Sequence, residues 1–463
     1  MTTYKVYDSK HANYENLALF NRPVVESSVD SRQYQCVKPI NSVNGMTNDF
    51  IEFNIVNPNT SYLALNESYL CLKCRVIRQE SGIVKVIKEQ GIELTPHPTD
   101  DQADDIITII TPDESLVCLT NNFMNSLIRD FQFKLGGVLI SGDVGSNHSY
   151  KSYLDNILFN SEPINTLSSQ LMYFEDGEFL GDIDPFSSGN EGLKERRQII
   201  TSSKNFDVRG KLHTDFCLQP KVLLNNIEIN IKLLLHQPSF YLLSSVQGVD
   251  FRVEIVSASL ELCHLKIKAP VMLAIERILK TKTAYYPYVR SAIRTFTYPK
   301  ETRQITIHDP FSTFIPFDLT CVFLSASGFS GSMSLNPFYF HHRNCSFFAT
   351  FVNNQPCPFR PYEPMFVNDK PWFSNYTDAY LGLLGSKPDQ VKVSKRNFGE
   401  GYSIFRSEIE QVRVGSFPQA KRGDLRIEIR LDSDLVEQTV VLLYGKFCGL
   451  VEIDSDRVVR TKN

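Results

Sequence analysis

Asn226-Ile-Glu-Ile-Asn-Ile-Lys-Leu-Leu234 closely resembles a second segment of the chain, Asp424-Leu-Arg-Ile-Glu-Ile-Arg-Leu431. Both alternate apolar and polar residues, which is the period of a strand with one buried face. Each follows a turn segment, Gln219-Pro220 in the first case and Pro418-Gln419 in the second. An echo at a distance of about 200 residues predicts one β domain used twice.

The composition favours a large all-β protein. The chain has 463 residues, of which 42% are hydrophobic, enough for two buried cores but too long for one. It contains 32 Phe, 20 Tyr, 23 Pro and 23 Gly, a balance that favours strands joined by many turns. The formal net charge is −4, whereas a free-standing nucleic-acid binder usually carries a basic excess. We therefore expect no sequence-specific binding to nucleic acid.

Turn and helix signals recur in the two halves. Gly136-Gly137 separates two apolar segments, which predicts a two-residue hairpin because Gly tolerates the positive φ of such turns. A helix with one apolar stripe is predicted next, because five side chains have the spacing that places them on one helix face: Tyr150, Tyr153, Leu154, Ile157 and Leu158. In the second half the same spacing occurs at Tyr376, Tyr380, Leu383 and Leu384.

Each half therefore contains several strands, a helix with a Tyr/Leu face and three closing strands. About eight strands with an inserted helix are typical of a jelly roll. The predicted fold is all-β, with two tandem eight-stranded jelly rolls (a double jelly roll) and short helices inserted in loops. An ordinary two-domain sandwich is the alternative.

The predicted domain organisation has four parts: an extended N-terminal arm at 1–45, a first jelly roll at 46–245, a second jelly roll at 246–453 and a C-terminal tail at 454–463. The boundary between the rolls is placed in the turn segment Ser244-Ser-Val-Gln-Gly248. Long irregular loops are predicted at 83–115, 160–203 and 352–372.

The long strand that begins at Phe251 is predicted to carry a bulge, because its apolar parity slips once near Val256–Ala258. A short helix is predicted to follow it, opened by Pro270.

The patterns of reactive side chains predict no catalytic, cofactor-binding or metal site, so the chain is not expected to be an enzyme. Cys71 and Cys74 form a CxxC, but in an alternating strand this spacing sends the two thiols to opposite faces. Neighbours on a strand also point apart, which excludes a shared metal at Cys263-His264 and at His341-His342. The remaining candidates, Asp100, Asp101, Asp104 and Asp105, lack the spacing of an EF-hand and are predicted to form a solvated loop that lies outermost or at a junction between subunits.

Two small basic clusters are also present. Lys194, Arg196 and Arg197 are predicted to lie in a solvated loop, and Arg457, Arg460 and Lys462 in the tail are candidates for contact with an anionic surface. Ten cysteines without a repeated paired spacing, and a polar start without an apolar signal core, favour a reducing compartment.

Four segments carry a resemblance to a known family. They are Asn121-Asn-Phe-Met-Asn-Ser-Leu-Ile-Arg-Asp-Phe-Gln-Phe-Lys-Leu-Gly-Gly137, Ser149-Tyr-Lys-Ser-Tyr-Leu-Asp-Asn-Ile-Leu158, Gly210-Lys-Leu-His-Thr-Asp-Phe-Cys-Leu-Gln219 and Asn336-Pro-Phe338. In this order they resemble segments of the major capsid proteins of Polinton/Maverick elements and adintoviruses, with matches over most of residues 45–453. Met124-Asn125 departs from the more usual Leu-His, and Ile128 stands where Phe is common.

The resemblance implies a structural major capsid protein that forms homotrimers. Six jelly rolls per trimer would make a pseudo-hexagonal capsomer, which tiles an icosahedral viral or virus-like shell with neighbouring capsomers and a single jelly-roll vertex (penton) protein. The implied location is the virion capsid, with assembly in the nucleus or the cytoplasm of a host cell. A carbohydrate-binding or glycan-processing protein on a double jelly-roll scaffold is the alternative. Contact with a membrane is left open.

Overall fold

The computed structural model describes residues 26–41, 49–80, 83–87, 108–110, 117–142, 145, 147–177, 179–184, 189–202, 205–245, 250–366, 375–411 and 417–462. The aspartates at 100, 101, 104 and 105 and the first 25 residues lie outside this part of the chain.

The first half runs from the first described strand to residue 267. Its elements in chain order are β1 (Val29–Val37), β2 (Phe50–Val56), β3 (Tyr62–Glu80), β4 (Ile83–Ile87), β5 (Thr108–Ile110), β6 (Val117–Leu119), α1 (Phe123–Ser126), β7 (Ile128–Leu135), β8 (Val138–Ser141), α2 (His148–Leu158), α3 (Ile164–Leu171), α4 (Glu191–Ser202), β9 (Phe206–Lys211), β10 (Glu228–Leu235), α5 (Pro238–Tyr241), β11 (Leu242–Ser244) and β12 (Asp250–Ile267).

The second half begins with a linking helix. Its elements are α6 (Ala269–Leu279), β13 (Ala284–Tyr298), β14 (Gln304–His308), β15 (Phe314–Ile315), β16 (Asp318–Ser325), α7 (Ala326–Ser330), β17 (Cys345–Val352), β18 (Gln355–Pro356), α8 (Thr377–Leu384), a 3-10 turn (Pro388–Gln390), α9 (Lys395–Gly399), β19 (Ile404–Glu408), β20 (Lys421–Arg422), β21 (Leu425–Leu431), β22 (Thr439–Ile453) and β23 (Val459–Lys462).

Both halves have the strand order of a jelly roll. In the first roll, one sheet has the order β1-β12-β3-β9 and the other β2-β10-β7-β8; the matching sheets of the second roll are β13-β22-β16-β19 and β14-β21-β17-β18. In each roll these eight strands are joined by antiparallel pairings. The strands β10 and β21, which contain the two echoing stretches, occupy equivalent positions in the two rolls. The predicted double jelly roll is therefore confirmed.

Two local predictions from the sequence are confirmed as well. Gly136 and Gly137 form the turn between β7 and β8, with φ of 51° and 79°. The register between β12 and β3 shifts between Ile255 and Ser257, which is the predicted bulge. The register shift restores the apolar residues of β12 to the face that packs on the core.

The two rolls stand side by side with the same end up. At one end, called the linker end, Val29 of β1 pairs with Ile267 of β12, and Ala284 of β13 pairs with Ile453 of β22, so that α6 and β23 both lie there. At the opposite end, called the loop end, lie the connections between β3 and β7 and between β16 and β17. The rolls touch at both ends: the Ser244 amide donates to the Met333 carbonyl (2.8 Å), and the Arg457 guanidinium donates to Asn225 (2.6 Å).

The domain boundaries differ from the prediction. Residues 29–37 of the predicted arm form β1, an edge strand of the first roll that lies mostly in solvent and so lacks the apolar alternation of a buried strand. Strand β12, assigned by sequence to the second roll, pairs with β1 and β3 of the first. The predicted boundary at 244–248 therefore falls between β11 and β12, two strands of the first roll, and the rolls are joined through α6 instead.

Four segments predicted to be irregular contain regular structure. The predicted loop at 83–115 contains β4 and β5, and the predicted loop at 352–372 contains β18. Residues 459–462 of the predicted tail form β23, which pairs with β22. The segment 160–203, predicted as an irregular loop, contains α3 and α4. The helix α4 was not predicted, because its sequence, EGLKERRQIITS, contains few apolar residues and therefore resembles a loop in composition.

One continuous cluster of buried apolar side chains runs through both rolls. In each roll it fills the space between the two sheets, with Ile229 and Ile231 of β10 and Ile427 and Ile429 of β21 fully buried. No helix among the described residues is both long and apolar enough to span a bilayer.

Candidate functional site: the contact between the two rolls

The helix α2 lies between the rolls and is buried on nearly all sides. It belongs to the connection between β8 and β9 of the first roll, and ten of its 11 residues are buried. The sequence predicted one apolar stripe, which the structure places against the core. The opposite, polar face is also buried, because it meets polar groups of the second roll.

Aromatic rings form one part of the contact. Tyr153 of α2 stacks on Phe338 of the second roll, with ring centroids 4.1 Å apart and an interplanar angle of 9°. Tyr150 meets the same Phe338 edge-on at 5.5 Å and stacks on Phe329 at 5.5 Å. The Tyr153 hydroxyl lies 3.3 Å from that of Tyr402. Aromatic pairs of this kind add about 0.5–1.5 kcal/mol each to the gain from burial alone.

A carboxylate of α2 forms the polar centre of the contact. Asp155 Oδ1 accepts a hydrogen bond from the Tyr444 hydroxyl (2.7 Å) and lies 3.0 Å from Lys446 Nζ, both on β22 of the second roll. Its other oxygen lies 3.2 Å from His213 Nε2 of the first roll. Asp155 thus links a strand of the second roll to a loop of the first.

A second carboxylate, that of Asp215, makes a similar set of contacts next to the first. Asp215 lies 2.8 Å from Lys151 Nζ of α2, in an ion pair whose geometry is not that of a directed hydrogen bond. It also accepts hydrogen bonds from the backbone amide (2.8 Å) and the hydroxyl (2.9 Å) of Ser291 on β13. Two lysines, Lys151 and Lys446, therefore face two aspartates in the contact.

The electrostatics favour the charged forms of Asp155 and Lys151, whereas burial lowers the pKa of Lys446. Burial alone would raise the pKa of the Asp155 carboxyl, but Lys446, together with His213 and Lys151, outweighs burial and holds the pKa well below its usual range. Burial alone would lower the pKa of Lys151, but Asp215 and Asp155 outweigh it and raise the pKa. Burial also lowers the pKa of His148 on α2 well below its usual value, so this imidazole is neutral.

A groove of ≈ 500 Å³ opens beside the network. Several of its charged lining groups are paired: Asp155 as described above, and Lys211 with Glu162 at 2.5 Å. The groove is also lined by apolar side chains that remain partly open to solvent: Leu218, Val289 and Phe417.

Buried arginines secure the loop segments that surround the contact. In the first roll, Arg196 of α4 is fully buried; it lies 2.7 Å from Asp176 and donates to the Leu119 carbonyl (2.9 Å). In the second roll, Arg406 lies 2.7 Å from Asp318 and donates to the Leu383 carbonyl at the end of α8 (3.0 Å).

The prediction of a solvated loop at Lys194, Arg196 and Arg197 was therefore wrong for Arg196. Its countercharge, Asp176, comes from a distant turn that no local pattern identifies. A usable signal was present nonetheless: Leu193, Arg196 and Ile200 share one helix face at spacings of three and four, and all three are buried.

The other candidate residues are held separately from one another. Cys74 is buried in the core, whereas Cys71 on the other face of β3 is half-buried, and burial followed by Glu261 raises its pKa to about 11. His264 lies 3.1 Å from the Ser61 hydroxyl, and the thiol of Cys263 lies near Glu67. In the second roll, His341 packs on Tyr339 and His342 stacks on Phe366. The described residues contain no group of three or more His, Cys, Asp or Glu side chains placed to hold a metal ion.

The segments that carry the family resemblance meet at this contact. Tyr153 and Asp155 come from one segment, Asp215 from the next and Phe338 from the last. The first segment supports α2 from below, because Asn125 Oδ1 lies 3.2 Å from His148 Nε2.

Comparison with solved structures identifies the fold, whereas comparison of sequences finds no match. No protein-family model matches the chain, and no curated protein matches it significantly. Among solved structures, it is similar to a chain of the Sputnik virophage (11% identity, TM-score 0.58, covering 100% of this chain and 94% of that one). It is also similar to the mavirus major capsid protein (10%, 0.55, 100% and 97%) and the Faustovirus major capsid protein (8%, 0.53, 93% and 92%). At these identities the likeness shows the double jelly-roll fold.

Proposed function

We propose that this chain is a major capsid protein, a structural subunit of an icosahedral viral or virus-like shell. The observation that carries the proposal is the extent of the likeness to the mavirus major capsid protein, which covers 100% of this chain and 97% of the other. A shared single roll would be weak support, since jelly rolls serve many functions. Here the likeness extends over both rolls.

The contact between the rolls suits such a subunit. A shell subunit transmits load between its neighbours, so its two rolls must act as one rigid body. Buried aromatic stacks and a charged network with specific partners fix the relative position of the rolls, since close-packed interiors resist deformation. We therefore infer a structural role without catalysis.

The proposed assembly is a homotrimer with six jelly rolls in a pseudo-hexagonal block. Trimers would contact neighbouring capsomers and a single jelly-roll vertex protein in the capsid of a virion, with assembly in the nucleus or the cytoplasm of the host cell. The loop end, which carries the long connections, would face outward. Obligate interfaces of this type bury roughly 2,000–5,000 Å² and are apolar at the centre.

The mass of the purified protein tests the trimer. Light scattering of the full chain at micromolar concentration should give three times the 52.8 kDa of one chain. Negative-stain images of the same sample should show pseudo-hexagonal blocks. A stable monomer under these conditions would count against the proposal.

Residues 1–25 are proposed to act between subunits, because Tyr4, Tyr7, Tyr14, Leu17 and Phe20 supply apolar groups without a helix or strand period. Removal of residues 1–25 spares β1 and should leave trimers while reducing the yield of shells. The tail is a different case, since β23 is already part of the second roll. Normal shell yield from the truncated chain would exclude this role.

A further inference from the structure

The linker helix α6 presents apolar side chains to solvent. Leu279 is its one buried residue, and Met272 and Ile275 pack in part against the core. The outward face is formed by Pro270, Leu273, Ala274, Arg277 and Ile278, and within it Leu273 is 54% exposed and Ile278 56%. Four of these five residues are apolar, which is unusual for the solvent face of a helix that joins two domains.

Cations surround this apolar face. Residues 268–282 carry four of them, Lys268, Arg277, Lys280 and Lys282, all exposed, against one carboxylate, Glu276. Glu276 is itself bound by Arg457 at 2.6 Å. This local excess of positive charge stands in a chain whose formal net charge is −4.

The cations of α6 are mostly uncompensated. Lys268 lies near the Glu26 carboxylate, whose pKa is lowered mainly by hydrogen bonds from Ser28 and to a smaller extent by this lysine. Arg277, Lys280 and Lys282 have no carboxylate within ion-pair distance in the described part of the chain. The helix therefore offers both halves of an amphipathic contact, apolar side chains and free positive charge, at one place.

The position of α6 makes this face available. It lies at the linker end, where the first roll ends and the second begins, opposite the long connections of both rolls. Beside it, Arg457 leads into β23, and Val458 is 46% exposed. At the linker end, the outward face of α6 therefore combines positive charge with exposed apolar side chains.

We propose that the outward face of α6 binds an anionic lipid surface. A short basic helix with exposed aliphatic side chains matches the chemistry of a bilayer interface, where lysines meet headgroup phosphates and the aliphatic groups enter the acyl boundary. A nucleic acid would use the cations but would gain little from Leu273 and Ile278. A second copy of the chain would have to supply carboxylates to three unpaired cations. The proposal concerns the single chain and holds whether or not the chain forms a shell.

Co-sedimentation of the purified full chain with vesicles tests the proposal. Binding is expected to vesicles of phosphatidylcholine with 30% phosphatidylserine, not to phosphatidylcholine alone, and should weaken with added salt. The double variant Lys280→Gln/Lys282→Gln should bind about 25-fold more weakly, since each basic residue near an anionic surface contributes about fivefold. The matched control, Lys300→Gln/Lys387→Gln, changes two exposed lysines outside α6 and should bind as the unaltered chain does.

The apolar half of the contact needs its own variant. Leu273→Ser/Ile278→Ser should lose most vesicle binding while its thermal unfolding is nearly unchanged, because both side chains are exposed. Val436→Ser at the loop end, where Val436 is 82% exposed, is the control and should bind normally.

Three results would overturn the proposal. The first is vesicle binding that none of these variants changes, and the second is full retention of vesicle binding by Leu273→Ser/Ile278→Ser together with equal affinity for duplex DNA. The third is a change in the oligomeric mass of Leu273→Ser/Ile278→Ser. The last would make α6 a contact between copies of the chain. The first two results do not depend on the shell. The third is a difference in mass between the variant and the unaltered chain, whereas the capsid role fails when the unaltered chain itself is a monomer, so the two failures are distinguishable.

Discussion

Each roll carries a Tyr-bearing helix in the same connection of its framework, yet the two helices do different things. In the first roll, Tyr153 of α2 crosses to Phe338 of the second roll. In the second roll, α8 stays on its own sheet: Tyr380 meets Phe398 of the same roll, and its hydroxyl donates to the Val393 carbonyl (2.9 Å). The framework is repeated, whereas of these two helices α2 contacts the other roll and α8 packs within its own.

The difference follows from what lies on the polar face of each helix. The polar face of α2 holds Lys151 and Asp155, both engaged in the network between the rolls. The corresponding face of α8 holds Asp378, which is exposed. If α2 and α8 had the same polar face, each could contact a further roll, and the rolls could associate in an extended row. Because only the polar face of α2 is buried in the contact, the two rolls form a discrete pair.

Removal of residues 1–40 should have the largest effect, because it takes away β1 and breaks the repeated framework. The truncation exposes the edge of β12, whose hydrogen bonds to β1 run from Leu260 to Ile267. We expect the protein to become largely insoluble or protease-sensitive in the first roll, as judged by limited proteolysis. Removal of residues 1–25 is the control and should preserve the proteolytic pattern. A 1–40 truncation that resists protease like the full chain would show that β1 is dispensable.

Replacing the stacked tyrosine of α2 should cost more stability than replacing its counterpart on α8. Tyr153→Ala empties a fully buried site and should lower the free energy of unfolding by about 3–5 kcal/mol. Tyr380→Ala removes a half-buried ring and should lower it by about 1–2 kcal/mol. Urea unfolding followed by near-UV circular dichroism measures both. Equal losses would mean that α2 and α8 are held equally and that the comparison is wrong.

The sequence predicted the framework well because a sheet has a local signature. The alternation in β10 and β21, the Gly136-Gly137 turn and the bulge in β12 are each encoded within a few residues. Edge strand β1 was missed because few of its side chains are buried, and burial is what produces the alternation.

The contact was predicted less well, because its partners are far apart in the chain. Asp155 and Lys446 are separated by nearly 300 residues, and neither residue's neighbours indicate that it is buried. The segments that carry the resemblance converge on α2 although they share no local period with one another. Nothing in the sequence predicted that they would meet there.

Removal of the central carboxylate should cost less than loss of the stack but more than loss of an exposed charge. Asp155→Asn leaves Lys446 buried without its nearest anion, and breaking a buried ion pair in this way costs about 3 kcal/mol. The matched control is Asp378→Asn on α8, where the carboxylate is exposed and the change should cost less than about 0.5 kcal/mol. Thermal unfolding at pH 7 compares the two. A loss of under 1 kcal/mol in Asp155→Asn would show that the network does not hold the rolls together.

The smallest effect concerns a histidine that packs beside α2. His236 stacks on Phe240 at 3.8 Å, its Nε2 lies 3.1 Å from the Ser149 hydroxyl, and burial, helped by Arg129, lowers its pKa to about 3. Below about pH 6.5 the unfolded chain binds a proton at this site, whereas the folded chain does not. Stability conferred by the neutral imidazole is therefore complete above pH 6.5 and falls by about 1.4 kcal/mol per unit as the pH drops toward the folded pKa.

His236→Gln should accordingly flatten the decline of stability between pH 6.5 and 4.5. In this window Asp155 remains ionised in both states to a good approximation, because its folded pKa is lowered and an unfolded aspartate titrates near pH 4. Urea unfolding midpoints at half-unit intervals measure the slope, and the variant should show a slope smaller by about 1.4 kcal/mol per pH unit. His308→Gln, which changes an exposed side chain of β14, should leave the slope unaltered. Both variants could instead show the same pH dependence of the unfolding midpoint as the unaltered chain. In that case the His236 imidazole takes up a proton in the folded protein, and the contact around α2 is less tightly closed than its burial implies.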